Sequence, residues 1–269
     1  MSSTRIDQRF AELRSRGETA FIPYITAGDP DLDATLERVK LLEAAGADVI
    51  ELGIPFSEPL ADGVANQRAA ERALSAGTTF SGILDIVRAI RENSEIPLLF
   101  FSYLNPLFVR GFENSVRQAA EAGVDGMLLV DLSLEESEPF RSAMTEAGLN
   151  HVPLVTPTTP EDRVEGLLKT AGGFVYCVSR AGVTGEQSEL QKEAQAVLDR
   201  ARRHTALPVA LGFGVSTAEQ ARTYAGMSDG VVVGSFIVNT FHEAGNTPEG
   251  RAAAMQQISP LITSVKSSL

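Results

Sequence analysis

Asp33-Ala34-Thr35-Leu36-Glu37-Arg38-Val39-Lys40-Leu41-Leu42-Glu43, a stop at Gly46, and then Asp48-Val49-Ile50-Glu51-Leu52-Gly53 together spell a helix followed by a strand. Leu36, Val39 and Leu42 fall at helical spacing, and glycine ends the pattern. The run that follows is short, apolar and β-branched. The same kind of run recurs at Phe21–Thr26, Asp48–Gly53, Pro97–Tyr103, Gly126–Asp131, His151–Thr156, Phe174–Arg180, Pro208–Gly214 and Gly230–Ser235, eight in all. Continuous apolar character, in place of alternation, is what parallel strands covered on both faces show. Eight strands alternating with helices close into a ring, so the expected fold class is α/β, a (β/α)8 TIM barrel. An open doubly wound sheet is the competing architecture. The count of eight and the absence of an early Gly-x-Gly-x-x-Gly turn weigh against it.

Helix boundaries are written into the intervening segments. Glu121-Ala122-Gly123 and Glu146-Ala147-Gly148 end helices on glycine. Pro160-Glu161-Asp162 and Thr247-Pro248-Glu249 open them, and Ser216-Thr217-Ala218-Glu219 has capping-box spacing. Arg5–Arg16 carries Ile6, Phe10 and Leu13 at helical spacing and is expected to cover the bottom of the barrel as an N-terminal helix. A short extra helix is expected at Phe236–Phe241, after the eighth strand. No linker or low-complexity tract interrupts the pattern, so residues 1–269 are expected to form a single barrel domain.

Composition narrows the function classes. Lys and Arg total 23 against 35 Asp and Glu, a net charge of −12, which disfavours nucleic acid as a partner. An anionic small substrate remains compatible, because backbone dipoles hold phosphate inside acidic proteins. No apolar run approaches the roughly 18 residues of a membrane helix. Met1–Arg5 is polar and does not resemble a signal peptide, so a cytoplasmic location is expected. Cys177, the lone cysteine, sits in an apolar run and reads as a buried, inert thiol.

In such barrels chemistry sits at the C-terminal ends of the strands. Glu51 stands inside an otherwise apolar strand end, where a carboxylate is costly unless it is paired or has a task. A structural ion pair or a strand-end hydrogen bond accounts for it as well as a catalytic role does. The loop Pro55–Gly63 is longer than a connection needs, and its two prolines and Gly63 would hold Asp62 over the barrel mouth; a plain turn is the alternative for Asp62-Gly63. Gly212-Phe213-Gly214 and Gly234-Ser235 close strands seven and eight, where barrels of this kind often bind phosphate. Ser179–Ser188, polar with two glycines, reads as a lid over the site or as an ordinary loop. His151, His204 and His242 are scattered, with no metal-ligand spacing, and no serine or cysteine triad pattern stands out. Acid–base chemistry by carboxylates remains.

The stretch Glu51-Leu52-Gly53-Ile54-Pro55-Phe56-Ser57-Glu58-Pro59-Leu60-Ala61-Asp62-Gly63 resembles the signature of tryptophan synthase alpha chains. Ile22–Pro30, Ser179-Arg180, Gly182–Gly185 and Gly212-Phe213-Gly214 extend the resemblance from about Arg5 to the last helix. It implies a lyase that splits indole-3-glycerol phosphate into indole and glyceraldehyde 3-phosphate by retro-aldol cleavage. It implies Glu51 as the acid and base, Asp62 as acceptor of the indole N–H, and Tyr176 as an assisting hydroxyl. Thr184 would position Asp62 from the lid, and Gly185, Gly214, Gly234 and Ser235 would cradle phosphate. Tyr24, Phe101, Leu128 and Phe213 would line the indole pocket, with Tyr103 and Asp131 nearby. The family works as an alpha–beta–beta–alpha complex with a beta chain. That chain carries pyridoxal phosphate, so no cofactor or metal is expected here. The partner surface would include the loops around Glu58 and Asn105-Pro106.

The sequence departs from the family pattern at Glu58, usually Asp, at Val64 and Asn66, usually Pro and Ile, and at Ser133, where Pro is common. Asn66 matters most, because an amide in an apolar pocket needs a partner. These departures keep two other readings open: a free-standing lyase that releases indole, and a weakly active subunit that activates a beta chain. A sugar-phosphate isomerase or epimerase would need different strand-end acids, or metal ligands, which the sequence does not present.

Overall fold

The computed structural model describes residues 3–178, 187–212 and 214–267, with backbone only over 187–190. The strands are β1 (Ala20–Thr26), β2 (Ile50–Gly53), β3 (Leu98–Ser102), β4 (Gly126–Leu129), β5 (Asn150–His151), β6 (Leu154–Val155), β7 (Val175–Val178), β8 (Val209–Gly212) and β9 (Gly230–Val233). The helices are α1 (Arg5–Arg16), α2 (Leu32–Ala44), α3 (Val64–Ser75), α4 (Phe80–Arg91), α5 (Leu104–Phe108), α6 (Phe112–Ala122), α7 (Glu138–Glu146), α8 (Glu161–Leu168), α9 (Gln187–Arg202), α10 (Ala218–Ala225), α11 (Ser235–Ala244) and α12 (Pro248–Lys266). The strands pair in the order β5-β4-β3-β2-β1-β9-β8-β7-β6, and all pairings are parallel. This is a (β/α)8 barrel. No single helix among the described residues is long and apolar enough to cross a membrane.

The fifth barrel strand differs from its reading as one run. It is broken into β5 and β6 around Val152-Pro153. Pro153 has no N–H to give to the ladder, and the strand breaks beside it, whereas β1 runs on through Pro23. Backbone hydrogen bonds still close the ring there. Val152 N–H donates to the Met127 carbonyl at 3.0 Å, and Tyr176 N–H donates to the Pro153 carbonyl at 3.0 Å.

Both faces of the strands are buried, and alternate residues serve different layers. Ile22, Val49, Leu99, Leu128, Val152, Phe174, Tyr176, Ala210 and Val232 form one cluster inside the ring. Their neighbours, such as Phe21, Ile50, Phe100, Met127 and Val231, pack outward with the helices. Ile6, Phe10 and Leu13 of α1 join the inner cluster and close its lower end, with the Phe10 and Phe174 rings 5.3 Å apart. The capping box of α10 is shifted by one residue from the sequence reading. Thr217 accepts from the Gln220 N–H at 3.2 Å, and Gln220 reaches back to the Thr217 N–H. The last run also ends early, since Ser235 is already the first residue of α11.

At the lower rim, buried acids tie neighbouring strands together. Asp48 accepts the Phe21 N–H at 2.7 Å and pairs with Arg9 and Lys266. Asp125 accepts the Leu98 N–H at 2.8 Å and pairs with Arg5 and Arg91. At the upper end Asp29 grips Arg72 with both oxygens, at 2.7 and 2.8 Å, while Arg38 donates to the Asp29 carbonyl. The Arg38 guanidinium also stacks over Phe241 at 4.8 Å, so β1, α2, α3 and α11 are joined behind the barrel mouth.

Phe10→Ala is expected to destabilise the fold by about 3–5 kcal/mol in urea unfolding, because it opens a cavity under the barrel. Asp29→Ala is expected to cost about 3 kcal/mol or more by the same measurement, because it strands two arginines, Arg38 among them almost fully buried.

Candidate active site

The upper layer of the barrel interior is where the inward-facing alternation meets solvent. Tyr24, Glu51, Phe101, Val130, Leu154, Val178 and Val232 point into a cavity of about 340 Å³. Tyr24 lies opposite Glu51 in the β1–β2 register. Its ring meets Phe101 edge-on with centroids 5.5 Å apart, making an apolar wall for a flat ligand. Two glycines make room for two tyrosines. A Cβ at Gly53 would stand 2.2 Å from the Tyr24 hydroxyl oxygen, and one at Gly212 would stand 2.4 Å from that of Tyr176.

Glu51 is 1% exposed. Its Oε1 is buried without a hydrogen-bond partner, and the carboxylate makes no ion pair among the described residues. The structural ion pair and the strand-end hydrogen bond are therefore both absent there, unlike at Asp48, Asp125 and Asp29. Burial, and secondarily the charge of Asp62, push Glu51 up to about 8. It is thus protonated at neutral pH and poised near the pH range where an acid–base group works best. Asp62, on the loop before α3, also lines the cavity. Burial raises its pKa, while hydrogen bonds from the Tyr103 hydroxyl and the Asn66 amide hold it back. Tyr103 donates to Asp62 at 3.1 Å and accepts the Ala61 N–H at 2.9 Å, so it braces the loop. The Tyr176 hydroxyl is held well above its usual range by burial and then by Glu51, and it stays a proton donor.

At the rim stand Gly214, Gly234 and Ser235. Gly234 caps α11 without any side-chain hydrogen bond. The first-turn N–H groups of that helix therefore have no capping side chain and face the cavity end, the arrangement that binds anions. Gly214 has φ 71°, a left-handed backbone conformation that glycine adopts freely.

The structure thus gathers Glu51, Asp62, Tyr176, Tyr24, Phe101, Gly214, Gly234 and Ser235 around one cavity. Three expected site residues stand elsewhere. Leu128 lies one interior layer lower, fully buried in the barrel core, and Val130 lines the cavity above it. Tyr103 sits behind Asp62, its ring 5.4 Å from Phe56. The exposed Asp131 accepts the Leu104 N–H at 2.7 Å and so caps α5. Thr184, Gly185 and Phe213, with Ser179–Glu186 of the expected lid, lie outside the described residues. Val130, Leu154, Val178 and Val232 were not expected, although the period-2 rule along each strand points to them from Leu128, Val152, Tyr176 and Gly230. Cys177 faces outward, buried, its thiol pushed up to about 12 by that burial. Among the described residues no group of three His, Cys, Asp or Glu side chains is placed to hold a metal ion.

Comparison with known proteins agrees with this geometry. The sequence model of a family described as tryptophan synthase alpha chain matches residues 10–266. A tryptophan synthase alpha chain from Opitutus terrae is 44% identical over 255 residues, covering 95% of this chain and 96% of that one. Among solved structures, the alpha subunit from Legionella pneumophila superposes with TM-score 0.90 at 35% identity, covering 98% of this chain and 99% of that one. One from Pyrococcus furiosus, solved in a study of mutual activation of the tryptophan synthase α2β2 complex, gives TM-score 0.82 at 36% identity, with 91% and 98% covered. With the whole barrel matched at these identities, the chain belongs to the tryptophan synthase alpha chain family.

Proposed function

We propose that this chain cleaves indole-3-glycerol phosphate to indole and glyceraldehyde 3-phosphate in tryptophan biosynthesis, with Glu51 as a carbon–carbon lyase's acid and base. The observation that carries the reading is the buried Glu51 carboxyl, without a partner among the described residues, facing a cavity it shares with Asp62. The indole ring lies between Tyr24 and Phe101, its N–H donating to Asp62. Protonated Glu51 gives its proton to the ring carbon that bears the glycerol chain, and the ring becomes an iminium cation stabilised by the Asp62 carboxylate. The Glu51 carboxylate then takes the proton from the hydroxyl on the adjoining carbon. The bond between that carbon and the ring breaks, its electron pair restores the aromatic indole, and the oxygen becomes the aldehyde. Glu51 ends protonated, as it began. Tyr176, fixed beside Gly212, keeps a hydroxyl donor close to Glu51. The phosphate is held by the first-turn N–H groups of α11 with Gly214, Gly234 and Ser235, and the lid residues Thr184 and Gly185 would complete the enclosure. Phe213 would add to the indole wall.

The chain works with a tryptophan synthase beta chain in this reading, and pyridoxal phosphate belongs to that partner. Leu60, Phe108 and Val109 support a docking face. They are 87%, 59% and 71% exposed, on the segments after neighbouring strands β2 and β3 and close in sequence to Glu58 and Asn105-Pro106. Large apolar side chains gathered on one rim fit a covered surface better than an open one.

Steady-state cleavage of indole-3-glycerol phosphate, with and without a beta chain, tests the reading. Glu51→Gln is expected to lower kcat by at least about 100-fold, the range of a general acid–base group. A beta chain is expected to stimulate the parent. No parent cleavage under either condition would remove the lyase reading, and a parent indifferent to the beta chain would favour a free-standing enzyme. The pH profile of kcat/KM is expected to fall above about pH 8, where free Glu51 loses its proton. It should also fall on the acid side, above the ordinary aspartate range, as Asp62 gains one.

Burying Glu51 has a consequence for stability that needs no substrate. The folded chain holds this proton up to about pH 8 while the unfolded chain releases it near 4.5. Its destabilising effect is absent below about 4.5, grows as pH rises and is complete above 8. Urea unfolding at pH 8 is expected to find Glu51→Gln more stable than the parent by about 1 kcal/mol or more, with the gap closing at pH 4.5. A gap that does not depend on pH would show that Glu51 is not buried in its protonated form.

A further inference from the structure

The barrel ladder lapses between β4 and β6. β4 pairs with the broken fifth strand only through β5, with Gly126 opposite Asn150 and Met127 opposite His151. The Val152 N–H, given to the Met127 carbonyl, adds the last bond between them. β6 pairs with β7 alone, so among the described residues no ladder hydrogen bond joins β4 to β6. Continuing the β4–β5 register sets Val130 opposite Leu154, and at that height these two side chains make the wall. Both are only partly buried, although they belong to the inner layer, because each borders two cavities. One is the active-site cavity. The other, also about 340 Å³, lies outside the ring between the strand ends and α8. Leu132, Leu134 and Leu167 give it an apolar lining, with Thr158 and Thr159 beside them. Its volume is in the range that holds a small organic group.

The order of strands says which end of the substrate meets this wall. The phosphate cradle stands at the ends of β8 and β9, and β9 adjoins β1. In a ring of eight, the gap between β4 and the fifth strand lies across from β9 and β1. A substrate anchored there by its phosphate directs its far end at Val130 and Leu154. In indole-3-glycerol phosphate that far end is the benzo edge at carbons 5 and 6. We propose that Leu154 and Val130 are specificity-determining residues: their side chains form the stop that limits the benzo edge, and the cavity behind them takes apolar substituents on carbon 5 or 6 once the stop is shortened. The inference rests on the lyase reading for the place of the phosphate. It adds to that reading the part of the wall that decides which ring-substituted indoles the chain accepts.

The test is kcat/KM, with a beta chain present, for indole-3-glycerol phosphate and its 5-benzyloxy and 7-benzyloxy derivatives. The parent is compared with Leu154→Ala, Val130→Ala and Val178→Ala. The parent is expected to cleave the 5-benzyloxy compound at least about tenfold less well than the unsubstituted one, the scale on which an apolar pocket discriminates size. Leu154→Ala is expected to raise the ratio of 5-benzyloxy to unsubstituted substrate at least about tenfold, and Val130→Ala to move it in the same direction. The 7-benzyloxy ratio should stay put, because carbon 7 lies beside the ring nitrogen, toward Asp62. Val178→Ala enlarges the active-site cavity without touching the second one, and it should change neither ratio. Ratios within one protein do not depend on how much of it is folded. A parent that cleaves the 5-benzyloxy compound as well as the unsubstituted one would overturn the inference. So would unchanged ratios in Leu154→Ala and Val130→Ala, or an equal gain in Val178→Ala. Loss of all cleavage in both wall variants would overturn it too, since a stop that only limits ring size can be shortened without abolishing the reaction. In each of these cases a parent that cleaves indole-3-glycerol phosphate leaves the lyase reading standing; a parent that does not cleave it removes both.

Discussion

Everything in this molecule depends on a parallel ladder that closes on itself. A parallel sheet leaves unpaired N–H and C=O groups at its edges, and closure removes the edges. The weak place is the fifth strand, where Pro153 cannot donate, and there the ring is completed by the Val152 N–H and the Pro153 carbonyl. Closure gives every strand an inside and an outside, both out of water. It also points all the C-terminal strand ends the same way, so that one end of the barrel gathers residues from β1, β2, β7 and β9 into a single cavity.

Once the strands are buried on both faces, any ionisable group among them must be answered. Asp48 and Asp125 are answered by backbone N–H groups of the adjacent strand and by arginine or lysine. Asp29 is answered by Arg72, and it ties the elements behind the cavity together. Glu51 finds no such partner among the described residues and keeps its proton instead. The same desolvation that makes it a burden on the fold makes it an acid near neutrality. Asp62, braced by Tyr103 at the cavity's edge, is only partly buried and more strongly hydrogen-bonded, so the two carboxyls are driven toward different protonation states.

Much of this was legible in the chain. The eight apolar runs, the N-terminal helix with Ile6, Phe10 and Leu13, and the helix after the eighth strand all follow from local periodicity and stop signals. Glu51 was visible as a charge in an apolar strand end. The sequence left open whether it was paired, since a partner such as those of Asp48 or Asp125 comes from 39 or 34 residues away. Leu128 and Val130 show the same limit on a finer scale. Both face inward, but how far a strand rises before its residues meet the cavity is set by the stagger of the whole ring. Tyr103 and Asp131 were correctly seen as polar groups at strand ends; that one braces Asp62 and the other caps α5 is decided by which loop packs beside them.

The sequence by itself determined the kinds of element, their order and the end of the barrel at which chemistry would sit, because periodicity, caps and strand-end polarity act over a few neighbouring residues. Only the tertiary structure decided which buried acids are satisfied and which is left with its proton. It alone showed that Gly53 and Gly212 clear space for tyrosine hydroxyls, and that the Asn66 side-chain oxygen is buried unpaired. Those outcomes depend on hydrogen-bond partners and free volume supplied by distant segments of the chain, and these exist only after the ring has closed.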